Sequence, residues 1–258
     1  MRGSATTTIT NSKLSDNDIY GIDAGNYPYY TSLTLTNNKF DNNSSGTGYF
    51  DISNGLVLTN SGNTASGSGP KRFDLYIGTA ASNKTVKGDG IPYVLYNTTI
   101  NSGASLTIEH GAMIKFINPS AGITINGTLD AQGATTSPIY FTSYNDDSVG
   151  GDSNGSATSP AGGDWTNLKT NSGGTATLSN VVVKYGTTNI YNSGGTLNFS
   201  YSTTSNASSY GSRSTSGTIS MTHSDLNNQY FGLSLEGGSL TFPGNNISTT
   251  TTYGLQNT

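Results

Sequence analysis

ITNSKLSDNDIYGI at residues 9–22, MTHSDLNNQYFGL at 221–233 and FPGNNISTTTTYGL at 242–255 are written to one spacing. Each opens on an apolar residue and places a second five positions on, at Leu14, Leu226 and Ile247. Each closes on an aromatic–glycine pair followed by Ile or Leu. LTNNKFDNN, from Leu35 to Asn43, takes the same step to Phe40. In the second half Gly186, Gly211, Gly232 and Gly254 all follow an aromatic, at intervals of 25, 21 and 22 residues. LTIEHGAMIKF and ITINGTLDAQG, starting at Leu106 and Ile123, repeat more tightly. Such self-similarity marks a stacked architecture.

The apolar residues between these landmarks fall in short β-branched and aromatic clusters, the signature of strands. No stretch of ten or more residues shows a helical period. A short-stranded chain repeating about every 20 residues fits a coil that makes one turn per repeat, each turn resting about 4.8 Å above the last. The fold class is therefore all-β, a parallel β-helix (a solenoid) of about ten to twelve turns. Inward residues at alternate positions would form an apolar column. The glycine after each aromatic would supply a turn conformation that other residues resist. Asparagines near the bends would take left-handed geometry and share amide hydrogen bonds from rung to rung. The rival is one or two β-sandwiches with strands every 8–12 residues, but sandwiches have no reason to repeat an aromatic–glycine pair.

Composition narrows the function. Of 258 residues 10% are charged, and the only glutamates are Glu109 and Glu236. With no cysteine there is no disulfide framework and no thiolate zinc site. A net charge of −4 provides no basic stripe for nucleic acid, and no apolar run reaches the roughly 18 residues of a membrane span. MRGS at 1–4 reads as an expression scar. Residues 5–60 read as N-terminal coils or a flap, 61–73 (SGNTASGSGPKRF) as a linker or long loop, and 74–258 as the main β-helix, with a loop insertion at 143–165. Both ends lie in repeat-like sequence, so the native polypeptide is expected to continue beyond them.

One stretch differs from its surroundings. NDDSVGGDSNGSATSPAGGDW, 145–165, holds four of the fifteen acidic residues and the only tryptophan. Asp146, Asp147, Asp152, Asn154 and Asp164 offer the hard oxygen ligands that a structural Ca²⁺ takes six to eight of. DSNGS from Asp152 resembles the start of a calcium loop. It departs from that pattern at Ser156, where an Asp would stand, and no bidentate Glu follows. The competing reading is a solvated loop held by turns and side-chain hydrogen bonds, with Trp165 as its anchor.

The repeats resemble those of right-handed parallel β-helix proteins, the fold of pectate lyases, polygalacturonases, phage tailspikes and bacterial adhesins. SPIYFTSYNDDSVGGDSNGSATSPAGGDW (137–165) with LSNVVVKYG (178–186) resembles a block of large bacterial surface proteins. In that block a polar loop interrupts a rung before a Gly-Asp-Trp return. The close match covers about 50 residues, and there is a further resemblance to the tāpirin-like cellulose-binding surface proteins. These resemblances imply fold strongly and function weakly.

The expected function is a secreted, non-enzymatic bacterial surface adhesin, monomeric, that grips an insoluble or extended plant-type polysaccharide such as cellulose. Tyr27, Tyr29 and Tyr30 in NYPYY, and Tyr93 and Tyr96 in IPYVLYN, are the candidate rings, because flat aromatics can stack on sugar faces. Tyr20, Tyr185, Tyr210 and Tyr253 fill the pre-glycine slot and read as structural. The alternative is a polysaccharide lyase or glycoside hydrolase on the same fold. The chain lacks the Gly-His-Gly and Arg-x-Lys elements of polygalacturonases, since His110 follows Glu109. Arg213 and Lys184 are the candidate bases if they lie on neighbouring coils. Ice binding through the TTTIT, SLTLTN and STTTTT runs is a minor alternative, as these runs do not recur on every coil.

Overall fold

A computed structural model describes residues 5–25 and 30–258, with the side chain of Tyr30 left aside. Residues 1–4, read above as an expression scar, and Tyr27 and Tyr29 of the candidate ring set lie outside the described residues. Among the described residues there is no helix, and parallel strands stack as a β-solenoid of about 11 turns. One ten-stranded wall runs in unbroken chain order from Tyr20–Ala24 to Asn246–Ser248. The first three coils complete their circuit with two three-stranded walls of their own. From Thr79–Ala80 onward the other strands join into one thirteen-stranded sheet. There the long strands Thr188–Ser200 and Tyr210–Thr222 each serve two positions.

Register makes the core. Leu106, Leu129, Ala176, Leu197, Ile219 and Leu240 are successive partners down one wall. Tyr93, Ile114 and Phe141 do the same on the ten-stranded wall. All but Leu240 are sealed from solvent. At about 25 cal/mol for each Å² of apolar surface removed from water, such columns are the main favourable term. Near the N-terminal end the column turns aromatic: Phe73 packs edge-on to Phe40 at 5.9 Å and to Phe50 at 5.2 Å between ring centres.

The bends follow the asparagine expectation. Asn11, Asn37, Asn42, Asn180, Asn206 and Asn228 all have φ between 49° and 54°, the left-handed region that asparagine tolerates best after glycine. Asn38 and Asn63 form a buried ladder: each accepts from a backbone N–H of the coil below, 3.0 Å from Ser12 to Asn38 and 3.0 Å from Asn38 to Asn63.

The pre-glycine reading needs correction. Gly21, Gly186, Gly211, Gly232 and Gly254 are not in the left-handed region. What the site lacks is room: a Cβ on Gly232 would sit 2.3 Å from the Gly254 carbonyl oxygen, and one on Gly211 would sit 2.1 Å from the Gln229 amide. Gly21, Gly186, Gly211 and Gly232 permit close stacking at a corner, whereas a Cβ on Gly254 would meet only the Ile247 side chain, at 3.3 Å. The motif also marks a corner and not a particular wall, for Tyr20 opens a strand of the ten-stranded sheet whereas Phe231 and Tyr253 open strands of the thirteen-stranded one.

The 61–73 segment, expected as a linker or long loop, carries the strand Thr64–Ser66 and the ladder residue Asn63, so it is part of the third coil. A discontinuity does fall close by. The two small walls end at Val57–Ser61 and Thr64–Ser66, while the ten-stranded wall continues across the junction.

Candidate functional site: a tyrosine patch beside a pinned loop

The outer face of the ten-stranded wall carries one row of register partners: Asp23, Tyr49, Asp74, Val94, Lys115 and Thr142. Outward positions on a strand are normally wet, yet Asp74, Val94, Lys115 and Thr142 are buried. The 145–165 loop covers Lys115 and Thr142, and Tyr20 and Arg72 close over Asp74. The loop leaves the strand Ile139–Ser143 and reaches back to the third coil, where Lys71 donates its backbone N–H to the Asp152 carbonyl at 2.9 Å. Arg72 donates to the Ser153 carbonyl at 2.8 Å. The chain then returns to the stack at Trp165, which is fully buried, stacked on Phe116 at 4.3 Å and donating its indole N–H to the Lys184 carbonyl at 2.9 Å. The next coil follows in register, Ile123 against Leu168, although Asn126 and its hydrogen-bond partner Asn171 are 45 residues apart.

A lysine sits at the centre of this clasp. Lys115 donates from Nζ to the carbonyls of Asp146 (2.8 Å) and Gly151 (2.9 Å). Burial brings its pKa down to about 8, against the pull of Asp146, Asp147 and Asp152. The five residues expected as calcium ligands are all in the loop but do not form one ligand set. Asp146 accepts from Thr142 and Ser148 and pairs with Lys184 at 2.8 Å. Burial raises its pKa, and these three partners outweigh that to hold it below the usual carboxylate range. Asp152 caps the backbone N–H groups of Asn154 and Gly155, Asn154 bonds to Asn145 and Thr158, and Asp164 accepts from Ser143, Asn145 and Ala161. Asp147 lies near Asp152, and burial and that charge raise its pKa. Among the described residues no three His, Asp or Glu side chains converge as a metal site. The carbonyl pair that could face a cation faces the Lys115 ammonium.

Below the loop tip the same wall gathers tyrosines from several coils. Tyr20 and Tyr49 stack at 6.0 Å, and Tyr76 and Tyr96 meet edge to face at 6.4 Å. Tyr144 lies under the Arg72 guanidinium, 5.4 Å from ring centre to carbon. Tyr76 is 39% exposed and Tyr96 36%, so both keep ring surface toward solvent. Tyr20 donates to Asp74 at 2.8 Å, and Arg72 pairs with the other oxygen of Asp74 at 2.8 Å. Burial, then the Asp74 charge, pushes the Tyr20 hydroxyl far above its usual pKa. Asp23, Asp51 and the tyrosine hydroxyls line the patch with hydrogen-bonding groups.

Of the candidate rings, Tyr96 is part of this patch and Tyr93 is not. Tyr93 is 1% exposed, with its hydroxyl bonded to Asn60 inside the prism, because in Ile91–Tyr96 the strand alternation turns position 93 inward. The sequence reading missed Tyr49, Tyr76 and Tyr144. Register could have found them, since Tyr49 and Tyr76 lie on adjacent strands of one wall and Tyr144 lies just past Ile139–Ser143, three strands further along it. The slot aromatics also differ from expectation. Tyr210, Phe231 and Tyr253 stack in turn on the outside, 5.0 and 6.0 Å apart, with Tyr253 exposed. Lys184 and Arg213, considered as neighbouring bases, stand on different walls. Arg213 makes a double hydrogen bond to Glu236 at 2.7 Å. His110 and His223 are both exposed, His223 stacking on Tyr201 at 5.0 Å.

Comparison with protein-family models, with curated proteins and with solved structures gives no match for this chain.

Proposed function

We propose that this chain is a non-enzymatic adhesin, displayed outside a bacterial cell, that holds an extended polysaccharide of the cellulose type across the tyrosine patch. The observation that supports this reading is the exposed pair Tyr76 and Tyr96 on successive coils of a wall braced by the pinned loop. Tyrosine rings offer an apolar surface to a sugar ring and a hydroxyl to its edges. A rigid solenoid wall suits a partner that is itself long and repetitive. Because neighbouring strands hold the rings, little ordering entropy is lost on binding.

The test is retention on microcrystalline cellulose, with pectin and xylan in parallel, for the wild type and a Tyr76→Ala/Tyr96→Ala variant. The reading expects retention on cellulose, loss of at least tenfold in affinity for the double variant, and no soluble sugar. Failure to bind any of the three would contradict it. Release of reducing or unsaturated ends would replace it with a lyase or hydrolase.

A further inference from the structure

The junction between the third and fourth coils leaves two strand edges facing each other without a ladder. Val57–Ser61 is the last strand of its three-stranded wall, and Lys84–Val86 is an end strand of the thirteen-stranded sheet. On this side the two coils meet at the far end of the strands, where Asp89 accepts from the Asn63 side chain at 2.7 Å and from Asn60 at 3.2 Å. From that join the edges diverge around a cleft of about 480 Å³, lined by Leu56, Val57, Leu58, Lys84, Lys87 and Glu109 among others. Val57 is 59% exposed at its mouth. A residue of extended chain occupies about 160 Å³, from a rise of about 3.3 Å, a strand spacing of about 4.8 Å and a sheet spacing of about 10 Å. The cleft therefore has room for about three.

Lys84 indicates the chemistry of the occupant. Its register partner is Leu106, so it occupies an inward place in an otherwise aliphatic column. The residue as a whole is 9% exposed, its ammonium opens onto the cleft, and among the described residues it makes no ion pair or hydrogen bond. An unpaired ammonium at the wall of a cleft favours an occupant that brings a counter-charge. We propose that the cleft is a strand-insertion site for an extended peptide segment of a partner protein, with β-branched residues flanking one acidic side chain. Its backbone completes the ladders of Val57–Ser61 and Lys84–Val86, and its carboxylate turns inward to Lys84. Free N–H and C=O rows on both sides favour a peptide backbone over a sugar chain, and the lysine sets the sign of the buried side chain.

The experiment uses a fluorescein-labelled Thr-Val-Glu-Val-Thr-Val peptide and its Thr-Val-Lys-Val-Thr-Val counterpart, read by anisotropy and by hydrogen exchange on the whole chain. The expected result is binding of the acidic peptide at least tenfold tighter than the basic one. Binding should fall at least fivefold in Lys84→Met, which keeps the length of the side chain and removes its charge. Amide protection should rise in 57–61 and 84–86, and the Tyr76→Ala/Tyr96→Ala variant should bind the peptide as the wild type does, which separates this site from the tyrosine patch. No binding by either peptide, equal binding of both, or protection outside the two edges would overturn the proposal. So would peptide-independent dimerisation that protects those edges, because the occupant would then be a second copy of this chain.

Discussion

Lys115 points outward from the strand Met113–Phe116. The loop that folds over it buries it completely. Replacing it by alanine removes the strong donor from the carbonyls of Asp146 and Gly151, which keep only the Val149 N–H at 3.4 Å and the Ser153 hydroxyl at 3.3 Å. Each lost hydrogen bond to the charged group costs about 1.5–3 kcal/mol. Lys115→Ala is therefore expected to lower Tm by several degrees and to make residues 145–160 the first site of limited proteolysis. Since the ammonium already faces these carbonyls, millimolar calcium should leave Tm unchanged. A calcium-dependent rise of several degrees would mean that the acidic side chains regroup around an ion. The titration of Lys115 also has a sign. Its pKa is about 8 in the folded chain against an ordinary 10.5, so folding releases a proton in that window. Its contribution to stability consequently rises with pH between about 8 and 10.5. Tyr20 and Tyr93 act in the opposite sense. Burial holds both far above the ordinary 10.0, so the stability they lend is intact below pH 10 and is lost above it. Tyrosinate absorbance should show two residues that ionise only as the chain unfolds. Their free titration near pH 10 in a folded chain would contradict the burial described here.

At the scale of elements, the loop and the corner motif behave differently under sequence reading. The aromatic–glycine corners, the inward aliphatic alternation and the left-handed asparagines were legible because each is a local requirement: a bend, a pleat, a positive φ. The anchoring role of Trp165 was legible for a similar reason, a single large apolar residue ending a polar run. Trp165→Ala should cost about 3–5 kcal/mol and release the loop, with near-ultraviolet circular dichroism and proteolysis as readouts. A thermal shift with no change in loop protection would show that Trp165 serves the core alone. What the sequence did not disclose was where the loop goes. Its partners Lys71, Arg72 and Lys115 belong to other coils, and nothing in the spacing of 145–165 indicates that it crosses them. The tyrosine patch was hidden for the same reason. Tyr49, Tyr76, Tyr96 and Tyr144 are neighbours only through register, and without the register nothing in IPYVLYN tells the inward Tyr93 from the outward Tyr96.

At the scale of the whole molecule, everything depends on the chain resuming its stack after the long excursion. If Leu168–Asn171 lies on Ile123–Ile125, the loop is an insertion, the ten-stranded wall is continuous and the patch has a rigid base. The chain has no cysteine, so a disulfide can report that register without interference. Thr124 and Lys169 are outward register partners and neither is buried. Adjacent strands put such Cα atoms within the 4.4–6.8 Å that a disulfide spans, whereas a shift of two residues carries them beyond it. The decisive measurement is oxidation of Thr124→Cys/Lys169→Cys beside the shifted pair Thr124→Cys/Asn171→Cys, read by mass spectrometry and thermal melting. The solenoid predicts near-complete crosslinking of the first pair with Tm kept or raised, and little crosslinking of the second. Equal crosslinking of both pairs, or crosslinking of the shifted pair alone, would contradict it.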